Sequence, residues 1–184
     1  QGVALLAGPY PYAAFESLLA EPRLLLIDNV EDPQNVGAML RSAEAFGWNA
    51  VLLPNRGVPR VYPSVLKASA GAAEHLRIAQ DRSATGYVKV LLERGFDLVA
   101  LDAAGRESVE ALRLDPGRSL ALVIGGEHLA VGRHILNQAR HVVAIPQQGR
   151  VGSLNASVAA GLAMFLLRGQ GQARTSPPPP GPRA

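Results

Sequence analysis

The feature that most constrains this chain is a repeated alternation of short apolar runs with helical stretches. Leu24-Leu25-Leu26-Ile27, bounded by Asp28 and Asn29, is apolar without interruption, which suits a strand buried on both faces. Ala50–Leu53, Leu98–Leu101, Leu120–Ile124 and Val142–Ile145 repeat that pattern. Between them lie helix signals. Asp32-Pro33 supplies an N-cap and a proline at a first helical position, with the helix running to Phe46 and closing at Gly47. Tyr62–Gly71 reads as a short helix, Ser83–Arg94 as a longer one ended by Gly95, and Leu154–Leu167 as an apolar helix closed by Arg168-Gly169. Strands and helices in alternation predict an α/β fold, a mainly parallel sheet with helices on both faces. Such sheets bind ligands beyond the carboxyl ends of their strands, so the turns that follow the strands carry the interest.

The 184 residues suit one domain. We divide them into a lead-in over 1–22, a main domain over 23–168 and a tail over 169–184. The tail, GQGQARTSPPPPGPRA, is rich in Pro and Gly without apolar periodicity and is expected to be disordered. The formal charge of +3 suggests a polyanionic partner only until its location is checked. Arg168, Arg174 and Arg183 account for the whole excess, and residues 1–167 are balanced. The absence of cysteine excludes a disulfide framework, cysteine-based metal or iron–sulfur sites and a thiol nucleophile. His75, His128, His134 and His141 show no helical ligand-pair spacing, so no metal is expected. No apolar run reaches the length of a membrane span and no secretory leader opens the sequence, so the expected setting is the cytoplasm.

Three turns could carry chemistry. In the first, DNVEDPQNVGAMLR, Asn35 stands near a helix start, and Gly37 and Arg41 follow one turn apart. Amides and the helix dipole favour anions there, and Arg41 offers a planar fork suited to phosphate. The same residues also read as a helix cap and a surface arginine. The second, Ile124-Gly125-Gly126-Glu127, combines close backbone approach with a carboxylate, and also reads as a plain turn. The third, Ile145-Pro146-Gln147-Gln148-Gly149-Arg150-Val151-Gly152-Ser153-Leu154-Asn155, leads from a strand through a Gly-rich loop into the apolar helix. Ser153 and Asn155 can cap that helix or hydrogen-bond a flat ligand. Arg133, Arg140 and Arg150 nearby suit either the phosphates of a polyanion or a solvated face.

Taken in order, DPQNVGAMLRSAEAFG, IGGE and IPQQGRVGSLNASVAA resemble the SpoU-type RNA ribose 2'-O-methyltransferases of the SPOUT superfamily, and KASAGAAEHL between them is similar too. The resemblance covers about Leu24–Leu167 and looks closest to the bacterial branch that methylates a guanosine ribose in large-subunit rRNA. It implies a deep trefoil knot at the C-terminal end of the domain, an exception to the usual unknotted chain. It implies S-adenosylmethionine as cofactor, held by Leu101, Asp102, Ala103, Gly125, Gly126, Glu127, Ile145, Pro146, Ser153, Leu154 and Asn155. It implies RNA as substrate and a homodimer through the knot, with Arg41 completing the partner's site. It also implies a small N-terminal RNA-binding domain ahead of Gln1-Gly2-Val3. Arg41 would bind the target phosphate and stabilise the developing alkoxide, while Asn35, Glu127, Ser153 and Asn155 orient it, the ribose and the cofactor. The sequence departs from the family pattern at Gly126 (usually Asn), Gln147 (usually Met), Gly152 (usually Glu) and in the HLAVG stretch after Glu127. The alternatives are a catalytically inactive RNA-binding relative and a generic nucleotide-binding α/β protein. The latter lacks support from any dinucleotide or P-loop fingerprint.

Overall fold

The structure, a computed structural model, describes residues 8–115, 117–126, 129–150 and 152–170. Seven strands form one all-parallel sheet: β1 (Arg23–Ile27), β2 (Ala50–Leu52), β3 (Arg77–Ala79), β4 (Asp97–Leu101), β5 (Glu107–Ser108), β6 (Leu120–Ile124) and β7 (His141–Ala144), in the order β3-β2-β1-β6-β4-β7-β5. The helices are α1 (Pro33–Ala45), α2 (Pro63–Ala68), α3 (Ala84–Glu93), α4 (Arg133–Leu136) and α5 (Ala156–Leu167).

The α/β class and the parallel sheet agree with the sequence pattern. Alternate residues along each strand enter two separate cores. Leu25, Ile27, Val51, Val99, Leu122 and Ile124 pack with α1, α2 and α5 on one face. Leu24, Leu26, Leu52, Leu98, Ala121 and Val123 pack with α3, α4 and the turn Phe15–Leu18 on the other. Full burial on both sides explains why these strands are apolar at every position rather than at alternate ones. The helix signals also hold locally. The Asp32 side chain accepts from Gln34 N, and the Ser83 side chain accepts from Gly86 N. Gly47 and Gly95 take positive φ just beyond α1 and α3.

The structure adds β3, β5 and α4. Two of these elements are short edge strands that begin on Arg77 and Glu107, and neither carries an apolar run. α5 begins at Ala156 rather than Leu154, because Asn155 takes the cap position. Residues 8–22 pack on the domain: Phe15 and Leu18 are fully buried, and Ala13 N donates to Ile78 O at 2.8 Å. Residues 171–184, to which most of the expected tail belongs, lie outside the described residues.

One connection positions the site. β7 lies between β4 and β5, although only residues 102–106 join those two strands. That bridge crosses the β7 backbone. Asp102 N donates to Val143 O at 2.9 Å, and a Cβ on Gly105 would sit 2.5 Å from Val143 C. A strand inserted beneath such a short bridge is consistent with the knot that the motif resemblance implies.

Candidate active site

The carboxyl ends of β6, β4 and β7 open into a cavity of about 450 Å³. This is within the usual range for a small-molecule site. Leu101, Asp102 and Ala103 line it from the end of β4; Ile124, Gly125 and Gly126 from the end of β6; and Ala130 and Val131 from the following loop. Ile145, Gln147, Ser153, Leu154 and Asn155 close it from the segment after β7, with Ala156 and Ala159 from the first turns of α5. Three segments far apart in sequence therefore meet at one sheet edge, because their strands are neighbours there.

The two glycines are required by packing. A Cβ on Gly125 would lie 2.2 Å from Val131 N, and one on Gly126 would lie 2.1 Å from Asn29 O. The backbone is folded against itself at this corner, so the Gly126 departure from the family pattern matches a close approach to β1's end. Gly152, by contrast, has nothing within 4 Å of where a Cβ would be.

Asn155 takes the capping reading and adds a bond to the first motif. Its Oδ1 accepts from Ser157 N at 2.9 Å, Val158 N at 3.2 Å and Ser157 Oγ at 2.6 Å, which caps α5. Its Nδ2 donates to Asn35 Oδ1 at 3.0 Å, which ties the third motif to the first. Ser153 is exposed on the cavity rim. The Asp102 carboxylate accepts from Ala104 N at 2.8 Å and so shapes the bridge that covers β7.

Behind the cavity, Asp28 is almost fully buried at the end of β1. Its Oδ2 accepts from Gly132 N at 3.1 Å and Asn29 Nδ2 at 3.2 Å. Burial pushes its carboxyl above the usual aspartate range, and the Gly132 amide pulls the other way. Asn29 adopts φ 53°, an uncommon conformation for a residue other than glycine. Its Nδ2 also reaches Ala130 O at 3.4 Å. Asp28 and Asn29 thus fasten Ala130 and Gly132 to the end of β1.

The model of the SpoU rRNA Methylase family matches residues 22–165, most of the chain. The chain belongs to this family. A Bacillus subtilis (strain 168) protein assigned to the TrmH family of tRNA/rRNA methyltransferases is 36% identical over 172 residues, covering 90% of this chain and 68% of its own length. A solved RNA 2'-O ribose methyltransferase aligns with a TM-score of 0.70 and 29% identity, covering 92% of this chain and 61% of that one. The SpoU methyltransferase AviRb from Streptomyces viridochromogenes, solved with the cofactor AdoMet, aligns with a TM-score of 0.69 and 25% identity, covering 79% of this chain and 56% of that one. The chain thus spans less than two thirds of these two solved structures.

Against this SpoU-family frame, the residues expected at the cofactor loops divide clearly. Leu101, Asp102, Ala103, Gly125, Gly126, Ile145, Ser153, Leu154 and Asn155 all line the cavity. Pro146 is exposed and is not in the cavity lining, although its neighbours Ile145 and Gln147 are. Glu127 lies outside the described residues. Asn35 and Arg41 are on α1 and do not line the cavity, although Asn35 reaches it through Asn155. Arg41 is exposed and forms no ion pair with any described residue. Arg140 is bonded to Asp97 and Asp115, whereas Arg133 and Arg150 are exposed and form no ion pair with any described residue.

The sequence reading missed Ile124, Ala130, Val131, Gln147, Ala156 and Ala159 as cavity residues. Ala156 and Ala159 carried one usable signal, two small side chains three apart at the start of a helix that follows a Gly-rich loop. Ala130 and Val131 carried none, since only the fold of the 125–132 loop brings them back to Gly125. Asp28 and Asn29 were read merely as the end of a strand.

Proposed function

We propose that this chain is an S-adenosylmethionine-dependent methyltransferase that acts on a ribose 2'-hydroxyl of ribosomal or transfer RNA. The motif resemblance favours an rRNA guanosine. The observation that carries this reading is the convergence of the β4 end, the Gly125-Gly126 turn and the Ile145–Asn155 segment on one cavity in a chain of the SpoU family. The named activity of the 2'-O ribose methyltransferase that it resembles supports the target atom. The AdoMet-bound relative supports the cofactor.

The cavity suits that cofactor chemically. Leu101, Ile124, Val131, Ile145, Ala156 and Ala159 offer apolar walls for an adenine ring. Asp102, Gln147, Ser153 and Asn155 offer polar atoms around them for ribose and amino-acid groups. When bound, S-adenosylmethionine supplies an activated sulfonium methyl group. The protein's own task is to align the ribose hydroxyl and to ease loss of its proton. Arg41 binds the phosphate beside the target and stabilises charge that develops on the ribose oxygen. Asn155, held by its capping bonds and by Asn35, fixes one side of the ribose site. Glu127 and Ser153 complete the polar set.

Arg41 acts across a homodimer in this proposal. Val158, Leu162 and Phe165 form an apolar stripe on α5 that is 42–51% exposed. Gly161, within the stripe's span, meets Ser42 of α1, the residue that follows Arg41. A second copy covering the stripe would bring Arg41 to the partner's cavity. Among the described residues no helix is long and apolar enough to cross a membrane, and a cytoplasmic setting fits the proposal.

The test is transfer of labelled methyl from S-adenosylmethionine to total rRNA and tRNA, with alkali resistance of the modified linkage as the mark of 2'-O-methylation. Labelled RNA with alkali-stable linkages is expected. Cofactor binding without transfer to any RNA would favour the inactive relative. Label confined to bases would overturn the ribose assignment. A fully active monomer in sedimentation at assay concentration would sink the shared site.

A further inference from the structure

Between Glu44 and Glu74 the chain has no acidic residue, yet it carries Arg56, Arg60 and Lys67. This stretch of sequence is therefore cationic in a body that is balanced overall. Arg56 and Arg60 lie in the loop that follows β2, which ends on Tyr62. The loop backbone is held in place. Asn55 N donates to Arg82 O at 2.8 Å, Val61 N to the Tyr12 hydroxyl at 2.8 Å, and Gln80 Nε2 to Pro59 O at 3.3 Å. The three side chains of interest point outward: Arg56 and Arg60 are exposed, and so is Tyr62 at 53%. Neither arginine forms an ion pair with any described residue. Arg60 instead rests over the Tyr12 ring at 5.7 Å.

The loop adjoins the cavity. Gly57 packs on Asn29, where a Cβ would lie 2.9 Å from Oδ1, and Asn29 Nδ2 reaches the cavity residue Ala130. Only β1 separates β2 from β6, so the loop stands about 10 Å from the cavity's glycine turn. Unpaired arginine forks beside an exposed aromatic ring, on a rigid loop without acids, are suited to a single-stranded nucleic acid. The forks match phosphates and the ring gives a base a face to stack on.

We propose that the loop Pro54–Tyr62 grips the substrate RNA strand beside the target nucleotide, with Arg56 and Arg60 on its phosphates and Tyr62 against a base. The proposal rests on the RNA methyltransferase reading above and adds where the strand runs: outward over β1 and β2.

The test uses the full chain, a fluorescein-labelled single-stranded RNA of about 20 nucleotides, and anisotropy over a range of KCl concentrations. Removing both arginines (R56A with R60A) is expected to weaken binding about tenfold or more and to flatten the salt slope by about one to two. Tyr62→Ala is expected to weaken binding about fivefold with little change of slope. Arg94→Ala, just past α3 at the opposite sheet edge, serves as control and should leave affinity unchanged. S-adenosylmethionine binding by calorimetry should be the same in all variants, which also shows that they fold. If the parent binds RNA and the double variant binds it equally well, or if Arg94→Ala costs as much, the loop assignment is overturned. Equal affinity for poly-glutamate would overturn RNA as the partner. A parent that binds neither cofactor nor RNA overturns the methyltransferase reading itself, and the loop proposal with it.

Discussion

The two edges of the sheet use the same residue type differently. At the amino edge, arginines are structural. Asp97, 1% exposed at the start of β4, forms ion pairs with Arg118 at 2.8 Å and Arg140 at 2.9 Å, accepts a hydrogen bond from Arg140 Nη1, and Arg140 also reaches Asp115. Arg77 at the start of β3 pairs with Glu21, and Arg23 at the start of β1 bonds the carbonyls of Gly47 and Arg168. At the carboxyl edge, Arg56, Arg60, Arg106, Arg133 and Arg150 are exposed and unpaired with described residues; Arg82, held by Glu16, is the exception there. Net charge hides this division. A chain whose body is neutral can still present free cations where its glycine-lined cavity opens, because the arginine partners Asp97, Asp115 and Glu21 stand at the other edge.

This contrast can be tested at several points. The largest effect is expected when a free arginine is lost without a structural counterpart. Arg41→Ala should cut methyl transfer by about 100-fold or more while S-adenosylmethionine affinity stays within about twofold, and Arg77→Ala should leave turnover near normal. Single-turnover kinetics and calorimetry check both. Next come the cavity glycines. Gly125→Ala must push a Cβ into the Val131 backbone and should weaken cofactor binding about tenfold, whereas Gly152→Ala meets open space and should change it less than about twofold. Comparable losses in the two would mean that the corner is looser than its packing indicates.

At the amino edge, Asp97→Asn removes the charge shared by two arginines. It should lower Tm by about 5 °C with kcat preserved at lower temperature, a stability effect and not a catalytic one. The smallest effect concerns Asp28. Its carboxyl is raised in the folded state, so between the unfolded and folded pKa values the native chain binds more protons than the unfolded one. Stability therefore falls as pH rises through that window, and the cost persists above it. Asp28→Asn does not titrate, so its Tm relative to the parent should rise with pH across the window and then level off. Calorimetry at a series of pH values checks this, and a constant offset would show that the carboxyl is not raised.

Much of this was legible before any coordinates. Leu24–Ile27 and Leu120–Ile124 announced doubly buried strands because a parallel sheet hides both faces of its central members. Asp32-Pro33 and Ser83 announced helix starts because their side chains answer otherwise unpartnered amides. Of the cofactor-loop residues, Pro146 alone among the described ones stands outside the cavity lining, between Ile145 and Gln147, which line it. The edge strands Arg77–Ala79 and Glu107–Ser108 were invisible, because two or three residues with one polar start carry no periodicity. Asp28 and Asn29 could not be distinguished from an ordinary strand end. Their role depends on Gly132 and Ala130, about a hundred residues further along the chain.

By itself, the sequence determined the α/β alternation, the family motifs and the turns that matter. These are local properties, set by burial period, capping and backbone permissiveness. Only the tertiary structure decided that β7 enters between β4 and β5, that the backbone at Gly125 and Gly126 folds back on Val131 and Asn29, and which arginines are neutralised and which stay free. Those outcomes depend on strand order, and strand order is fixed by long-range packing that no short window of sequence contains.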